Sequence, residues 1–94
     1  MNEIRFDWDA AKEAANRRKH GVSFEEARSA FLDGNAKVID DPNHSADEDR
    51  YVLLGLSHRL RVLVVCHTYR KNDEEIRIIS ARKASKREQS QYME

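Results

Sequence analysis

The chain has little of what builds disulfides, zinc sites and membrane spans. Its 94 residues include one cysteine, and no apolar run approaches the ~18 to 20 residues that a spanning helix needs. Cys66 has no second cysteine for a disulfide or a CxxC zinc site, so it fits a reducing cytosol. The opening MNEIRFDWD also lacks the apolar core of a signal peptide. We therefore expect a cytoplasmic protein with no membrane segment.

An excess of charge of either sign is also missing. The 17 Lys and Arg residues balance 17 Asp and Glu residues, which excludes a polycation that binds nucleic acid indiscriminately. The charges are nevertheless segregated, because residues 1–49 hold 7 cations against 12 acids and residues 50–94 hold 10 against 5. Every ionisable side chain from Ile76 to Arg87 is a cation. This predicts a basic face for a polyanion, of which RNA or DNA is the commonest.

The first part of the chain predicts two helices after a short strand. Alternating apolar residues at 4–8 indicate the strand. Asp9 is placed to cap a helix that runs to about His20 and ends at Gly21. Ser23 starts a second helix in a capping-box pattern with a glutamate three residues later, and its apolar stripe consists of Phe24, Ala27 and Phe31.

The later part predicts strands and a last helix, so the expected fold is one α+β domain over residues 1–94. A short strand at 37–40 and an acidic loop at 40–49 precede a meander of strands at 50–57, 60–70 and 75–82. Two helices would pack on this antiparallel sheet of about four strands, and the capping box of Ser85 and Glu88 predicts a C-terminal helix from about Lys86 to Tyr92.

The turns between the strands predict a register and therefore two sheet faces. Two-residue turns at His58-Arg59 and near Asn72-Asp73 would pair residue 56 with 61 and residue 69 with 76. The helix-facing side would then carry Val52, Leu54, Leu56, Leu63, Val65, Ile76 and Ile78. The opposite side, which includes Ala81, would have Arg77 as its one charge.

No metal, cofactor or nucleotide motif is visible in the sequence. Its four histidines are scattered, and there is no P-loop and no GxGxxG pattern. A metal enzyme built around His44 and the acids of residues 40–49 is a remote alternative. Cations, histidines and tyrosines suit metal-free cleavage of an RNA phosphodiester, in which a base frees the ribose 2′-OH and cations stabilise charge on phosphorus.

The predicted catalytic residues are cations at the third long strand and two histidines. A mid-strand charge on a small apolar face is either functional or in an internal salt bridge, and the strand-end cations either reach a phosphate or are solvated. The histidines are acid–base candidates, or else a hydrogen-bonded edge residue and a helix cap. The set is Arg77, Arg82, Lys83, His67 and His20.

Four further residues are candidates for substrate binding. Lys19 ends the first helix, Arg61 follows the first turn, and Lys86 begins the last helix. For Arg61 and Lys86 the alternative role is that of a solvated surface cation. Tyr92 could stack on a base, or pack in the core.

Two sequence stretches carry a family resemblance that extends over nearly the whole chain. The pattern W-D-x-x-K-x-x-x-N-x-x-K-H-G-V-S-F at residues 8–24 and the run IRIISARKA at residues 76–84 are similar to those of the BrnT family of bacterial type II toxins. The resemblance implies a RelE-like fold and an endoribonuclease that arrests translation and growth. It also implies neutralisation by a BrnA antitoxin, which binds the operator DNA, so the toxin would reach DNA only through it.

A second function class remains open at this point. The same sheet and basic helix would also suit a non-catalytic binding module that holds a partner protein and assists its DNA binding. RNA cleavage that survives EDTA would separate the enzyme from the module.

Overall fold

The computed structural model describes residues 4–40 and 49–94, which form three helices on a five-stranded mixed sheet. The sheet order is β1-β5-β4-β3-β2, and only the β1–β5 pairing is parallel. The strands are β1 (Arg5–Asp7), β2 (Lys37–Asp40), β3 (Tyr51–Leu56), β4 (Val62–Arg70) and β5 (Glu75–Lys83), and the helices are α1 (Ala10–His20), α2 (Phe24–Ala30) and α3 (Lys86–Met93). The expected α+β class is confirmed. Most of the acidic loop, residues 41–48 with His44, lies outside the described residues.

The helix ends follow the local sequence signals. Asp9 caps α1 by accepting a hydrogen bond from the backbone N–H of Lys12, 3.1 Å away. Gly21 ends α1 in the left-handed conformation, with φ of 69°, which costs glycine least. Ser23 caps α2, and Ser85 forms a full capping box with Glu88 at the start of α3. These ends were predictable because each signal involves neighbours in the chain.

The register between β3 and β4 differs from the predicted one by a single residue. Leu56 pairs with Val62 rather than with Arg61, because the connecting loop has three residues, His58 to Leu60. Leu60 adopts a left-handed backbone, with φ of 62°, which closes a loop of this length. The one-residue shift turns every side chain of β3 to the other face, so Leu53 joins the helix-side core instead of Val52 and Leu54.

The pairing of β4 with β5 begins in the predicted register and then shifts. Tyr69 pairs with Ile76 as expected, but an irregularity between Cys66 and His67 places Cys66 opposite Ser80. The shift moves Ala81 to the helix-side core, where it is 1% exposed, although the sequence pattern placed it on the other face. Arg77 remains on the face away from α1 and α2, as predicted.

Two apolar clusters lie on the two faces of the sheet. Val22, Phe24, Ala27 and Ala30 of the α1–α2 region pack on Leu53, Leu63, Val65, Ile76, Ile78 and Ala81. Gly55 allows α2 to approach the sheet, because a Cβ there would lie 2.8 Å from the carbonyl oxygen of Ala30. On the other face, Tyr92 of α3 packs near Leu54, Val64 and Ala84. Within the described residues, no helix has the length and apolar character to cross a membrane.

Candidate active site

A cleft at the C-terminal end of β5 brings together cations from distant parts of the chain. It has a volume of about 400 Å³ and is lined by Leu60, Arg61, Val62, Lys83, Ala84 and Gln89. Lys83 is exposed, and no acidic group among residues 4–40 and 49–94 pairs with it. An unneutralised ammonium beside a partly apolar cleft is suited to bind an anion such as a phosphate.

Arg61 lies in this cleft but is held by a buried carboxylate. Its guanidinium binds both oxygens of Glu26, whose side chain is 2% exposed, and the Nε–Oε2 distance is 2.9 Å. Burial raises the pKa of Glu26, but hydrogen bonds from Arg61 and from Ser57 leave that pKa below its ordinary value. Arg61 therefore has a mainly structural role, and its guanidinium adds positive charge to the cleft only in part.

Asn16 fixes the end of α1 against the end of β5. Its Nδ2 donates to the carbonyl oxygens of Val22 and Ala81, at 2.9 and 2.8 Å, and its Oδ1 accepts from the N–H of Ala81 at 3.1 Å. The side chain is buried, so these bonds are protected from water. Because residues three and four positions later share its helix face, Lys19 and His20 lie toward the same end of β5.

The loop after α1 is held from a second direction. A guanidinium nitrogen of Arg61 lies 3.3 Å from the carbonyl oxygen of Gly21, the residue that follows His20. The α1 end is itself capped by Gly21, whose N–H donates to the carbonyl of Arg17 at 2.9 Å. The imidazole of His20 is half-buried and is not needed for that cap. The structure thus brings Lys19, His20, Arg61 and Lys83 to one end of the molecule.

Arg82 points to the other face of β5 and is bound by Glu88 of α3. The two side chains form a bidentate pair with nitrogen–oxygen distances of 2.7 and 2.8 Å. The hydrogen bond from Arg82 lowers the pKa of Glu88 to about 2. Glu88 also accepts from the N–H of Ser85, so Arg82 helps to fix the start of α3.

The two candidates on α3 occupy different environments. Lys86 is exposed at the first turn of the helix and borders a second, open depression with Gln89 and Ser90. The Tyr92 hydroxyl donates to Asp33 Oδ2 at 2.6 Å, and its ring packs in the smaller apolar cluster. Tyr92 therefore serves packing, which was the alternative to base stacking.

Arg77 lies far from the cleft and is paired with an acid. Its guanidinium binds Asp7 of β1, the residue opposite it in the parallel pairing. Six residues of strand separate Arg77 from Lys83, which is about 20 Å at ~3.3 Å per residue. One phosphate cannot contact both side chains. The internal salt bridge that the sequence left open for Arg77 is what the structure contains.

His67 is a core residue, with 0% of its surface exposed. Its Nδ1 lies 3.1 Å from the carbonyl oxygen of Val65, so Nδ1 carries the proton, and Nε2 accepts from the Tyr69 hydroxyl at 3.3 Å. The ring of Phe31 packs edge-on at 4.9 Å. Burial lowers the pKa of His67 and keeps it neutral. A substrate in solution therefore cannot contact the ring of His67 in this structure.

Three residues that shape the cleft had not been assigned to it from the sequence. Asn16 was visible only as one letter of the family pattern, and its partner Ala81 is 65 residues away. Glu26 had been assigned to a capping box, whereas its carboxylate instead binds Arg61 and Ser57. Leu60 carried no local signal, since leucine rarely adopts a left-handed backbone. The sequence signal for Asn16 and Glu26 is an amide or acid at a helix position that also faces the apolar core.

The geometry defines a small α+β protein with a cleft at the C-terminal end of β5 that Arg61 and Lys83 line. Comparison with known proteins agrees with this class. A family model described as the ribonuclease toxin BrnT of type II toxin–antitoxin systems matches residues 8–88. The chain therefore belongs to the BrnT family of ribonuclease toxins, and the reading as a non-catalytic binding module is not favoured.

A solved structure is similar to most of this chain. The crystal structure of the ribonuclease toxin BrnT of Brucella abortus superposes with a TM-score of 0.64 and shares 27% sequence identity. The match covers 92% of this chain and 100% of the other. No curated protein matches significantly. Membership in a type II toxin family implies an antitoxin as a partner.

The described residues contain no grouping that suggests a metal centre. Among residues 4–40 and 49–94, no three His, Cys, Asp or Glu side chains lie close enough to hold an ion. The alternative built around His44 falls on residues outside this part of the chain.

Proposed function

We propose that this chain is a metal-independent endoribonuclease that binds RNA in the cleft at the C-terminal end of β5. The observation that supports this most is the lysine at that end, Lys83, which has no acidic partner among the described residues and shares a cleft with Arg61. Family membership supplies the class of reaction, and the cleft supplies a location for it. In this proposal cleavage takes place in the cytoplasm and arrests translation and growth.

The proposed reaction uses His20 as the base and Lys83 as the electrostatic catalyst. His20 takes the proton of the ribose 2′-OH, and the 2′-oxygen attacks the adjacent phosphorus. The bond from phosphorus to the 5′-oxygen breaks, and the leaving oxygen takes a proton from water. The hydroxide that remains takes back the proton held by His20, and the products are a 2′,3′-cyclic phosphate and a 5′-OH end. Lys83 stabilises the charge that develops on the phosphoryl oxygens. Lys19 and Lys86 extend the basic surface along the RNA.

Control by a partner follows from the same surface. We propose that an antitoxin of the BrnA type covers the cleft, either with acidic side chains or by steric blockage. If acids carry the contact, added salt lowers the association rate. The antitoxin binds operator DNA, and the toxin reaches DNA only through it.

An RNA cleavage assay with EDTA present tests the proposal. Wild-type protein is expected to cleave a defined RNA, and His20→Ala to lose about 10²-fold or more of that rate. Arg18→Ala is the matched control, because this exposed cation lies in the same helical turn but points away from the face of Asn16. Full activity in His20→Ala would contradict the assignment of the base. No cleavage of free or ribosome-bound RNA at any dose would overturn the proposal and favour the binding module.

A further inference from the structure

Leu60 has an unusual backbone and an unusual environment for a leucine. Its φ of 62° lies in the left-handed region, which side chains with a Cβ adopt at a cost in free energy. The residue is 79% exposed, so its side chain gains little from burial. Glycine or asparagine is the ordinary residue at such a loop position. Leucine here therefore strains the backbone, and burial offsets little of that cost.

The loop itself gives no reason for a leucine. It is closed by backbone groups alone: the N–H of Leu60 donates to the carbonyl of Ser57, and the N–H of Ser57 donates to the carbonyl of Arg61, both at 2.8 Å. Any residue that tolerates the conformation would form these bonds. The loop thus requires the left-handed conformation but not a leucine, and an exposed leucine in that conformation points to a role outside the loop.

The surroundings of Leu60 indicate which ligand that role involves. Leu60 lines the cleft together with Lys83, Arg61 and the amide side chain of Gln89. The cleft thus presents a cation and an exposed aliphatic group side by side. A nucleotide has the complementary pair of groups, an anionic phosphate and an apolar base face, within one residue of the polymer. A purely anionic ligand would leave the leucine without a partner.

We propose that Leu60 is a substrate-contact residue whose side chain packs on a nucleobase next to the phosphate that Lys83 binds. This inference rests on the proposed function and extends it from phosphate binding to base contact. The left-handed backbone holds the side chain out of the core and toward the cleft. Aliphatic packing makes no hydrogen bonds to base edges. The contact therefore adds affinity for a nucleobase but does not by itself distinguish one base from another.

Binding to two non-cleavable probes separates the base contact from the phosphate contact. The probes are a short fluorescent DNA strand, which has no 2′-OH, and an abasic strand with the same number of phosphates. For the strand with bases, we expect Leu60→Gly to raise the Kd about five- to tenfold, and for the abasic strand less than twofold. Lys83→Ala should weaken binding of both strands. Leu60→Met, which keeps an aliphatic side chain, should bind both strands about as wild type does.

Thermal unfolding supplies a readout with the opposite sign. Leu60→Gly relieves the backbone, so its Tm should rise by about 2 to 4 °C while its affinity for the strand with bases falls. A raised Tm with unchanged Kd for both strands would overturn the inference. Equal weakening for both strands would also overturn it. If Lys83→Ala weakens neither strand, the proposed phosphate site fails, and the base contact that depends on it fails too.

Discussion

Both ends of β5 carry a cation, but an acid neutralises the cation at one end and not the cation at the other. At the N-terminal end, Arg77 is neutralised by Asp7, and His67 of the neighbouring strand is buried with both ring nitrogens bonded. At the C-terminal end, Lys83 has no acidic partner among the described residues and borders a cleft. In the sequence, both Arg77 and Lys83 belong to one basic segment, and both are catalytic candidates. The internal partners that the fold provides, and not the presence of a cation in the sequence, decide which of the two is available to a phosphate.

The largest expected difference between the two ends is in catalysis. Lys83→Ala should lower kcat/KM for RNA by about 10²- to 10³-fold, because it removes charge stabilisation of the transition state. Arg77→Ala should change kcat/KM by about threefold or less, because its guanidinium is paired with Asp7 and lies far from the cleft. Cleavage kinetics of both purified variants, with folding checked by circular dichroism, measure this. The comparison breaks if folded Arg77→Ala loses as much activity as Lys83→Ala.

Arg61 is the cation in the cleft that does have a partner, so its loss should act first on stability. Arg61→Ala leaves the Glu26 carboxylate buried with only Ser57 bound, which should cost about 3 kcal/mol of the free energy of unfolding. Urea unfolding measures the change, with the exposed neighbour Arg59→Ala as control. The double variant Glu26→Gln with Arg61→Ala should recover part of the loss. No recovery would mean that Arg61 stabilises the fold by means other than this ion pair.

Substitution of His67 tests whether the residues at the N-terminal end of β5 have a structural role. Burial lowers its pKa in the folded state, so below its ordinary pKa near 6.5 the unfolded chain binds a proton that the folded chain does not. Stability is therefore lost as the pH falls from about 6.5 toward the lowered value. His67→Gln should reduce this slope, by up to about 1.4 kcal/mol per pH unit in urea titrations.

RNA cleavage by His67→Gln tests whether His67 also has a catalytic role. A folded His67→Gln protein should retain RNA cleavage within about threefold of wild type. A loss as large as that of His20→Ala would place a catalytic group at the Arg77 end and would contradict the comparison.

Removing the Glu88 carboxylate has the smallest expected effect on stability. It also tests whether Arg82, which Glu88 binds, can reach the substrate. Glu88→Gln should cost about 0.5 to 1 kcal/mol at pH 7, because the Arg82–Glu88 pair is partly exposed. The folded pKa of about 2 lies below the ordinary 4.5, so the contribution is present above pH 4.5 and is lost as the pH falls toward 2. Denaturant unfolding at several pH values follows it. A several-fold rise in cleavage would show that freed Arg82 reaches the substrate.

Much of the fold was predictable because its signals are local. The caps at Asp9, Ser23 and Ser85 each involve residues three positions apart, and the helices begin where these signals place them. The register of β3 was not predictable in the same way. The loop before β4 sets this register, and its third residue is Leu60. A glycine at that position would have predicted a three-residue loop, whereas a leucine does not.

The candidate site was predictable as a set of residue types and not as an arrangement. Lys83 and His20 were named from chemistry, and the structure brings their two elements to one end. Which cations are neutralised depends on partners as distant as Asp7 and Arg77, 70 residues apart. No spacing pattern encodes such a contact, because it follows from the pairing of the first strand with the last.

That pairing has a consequence for when the toxin becomes complete during synthesis. The parallel partner of β1 is β5, and the amide of Asn16 bonds to Ala81. Both contacts must wait until β5 has left the ribosome, so the early helices emerge long before the strand that they pack on. The cleft assembles after that, from the end of α1 and the end of β5 together. A ribosome still translating β5 therefore carries a nascent chain in which the proposed site is unfinished.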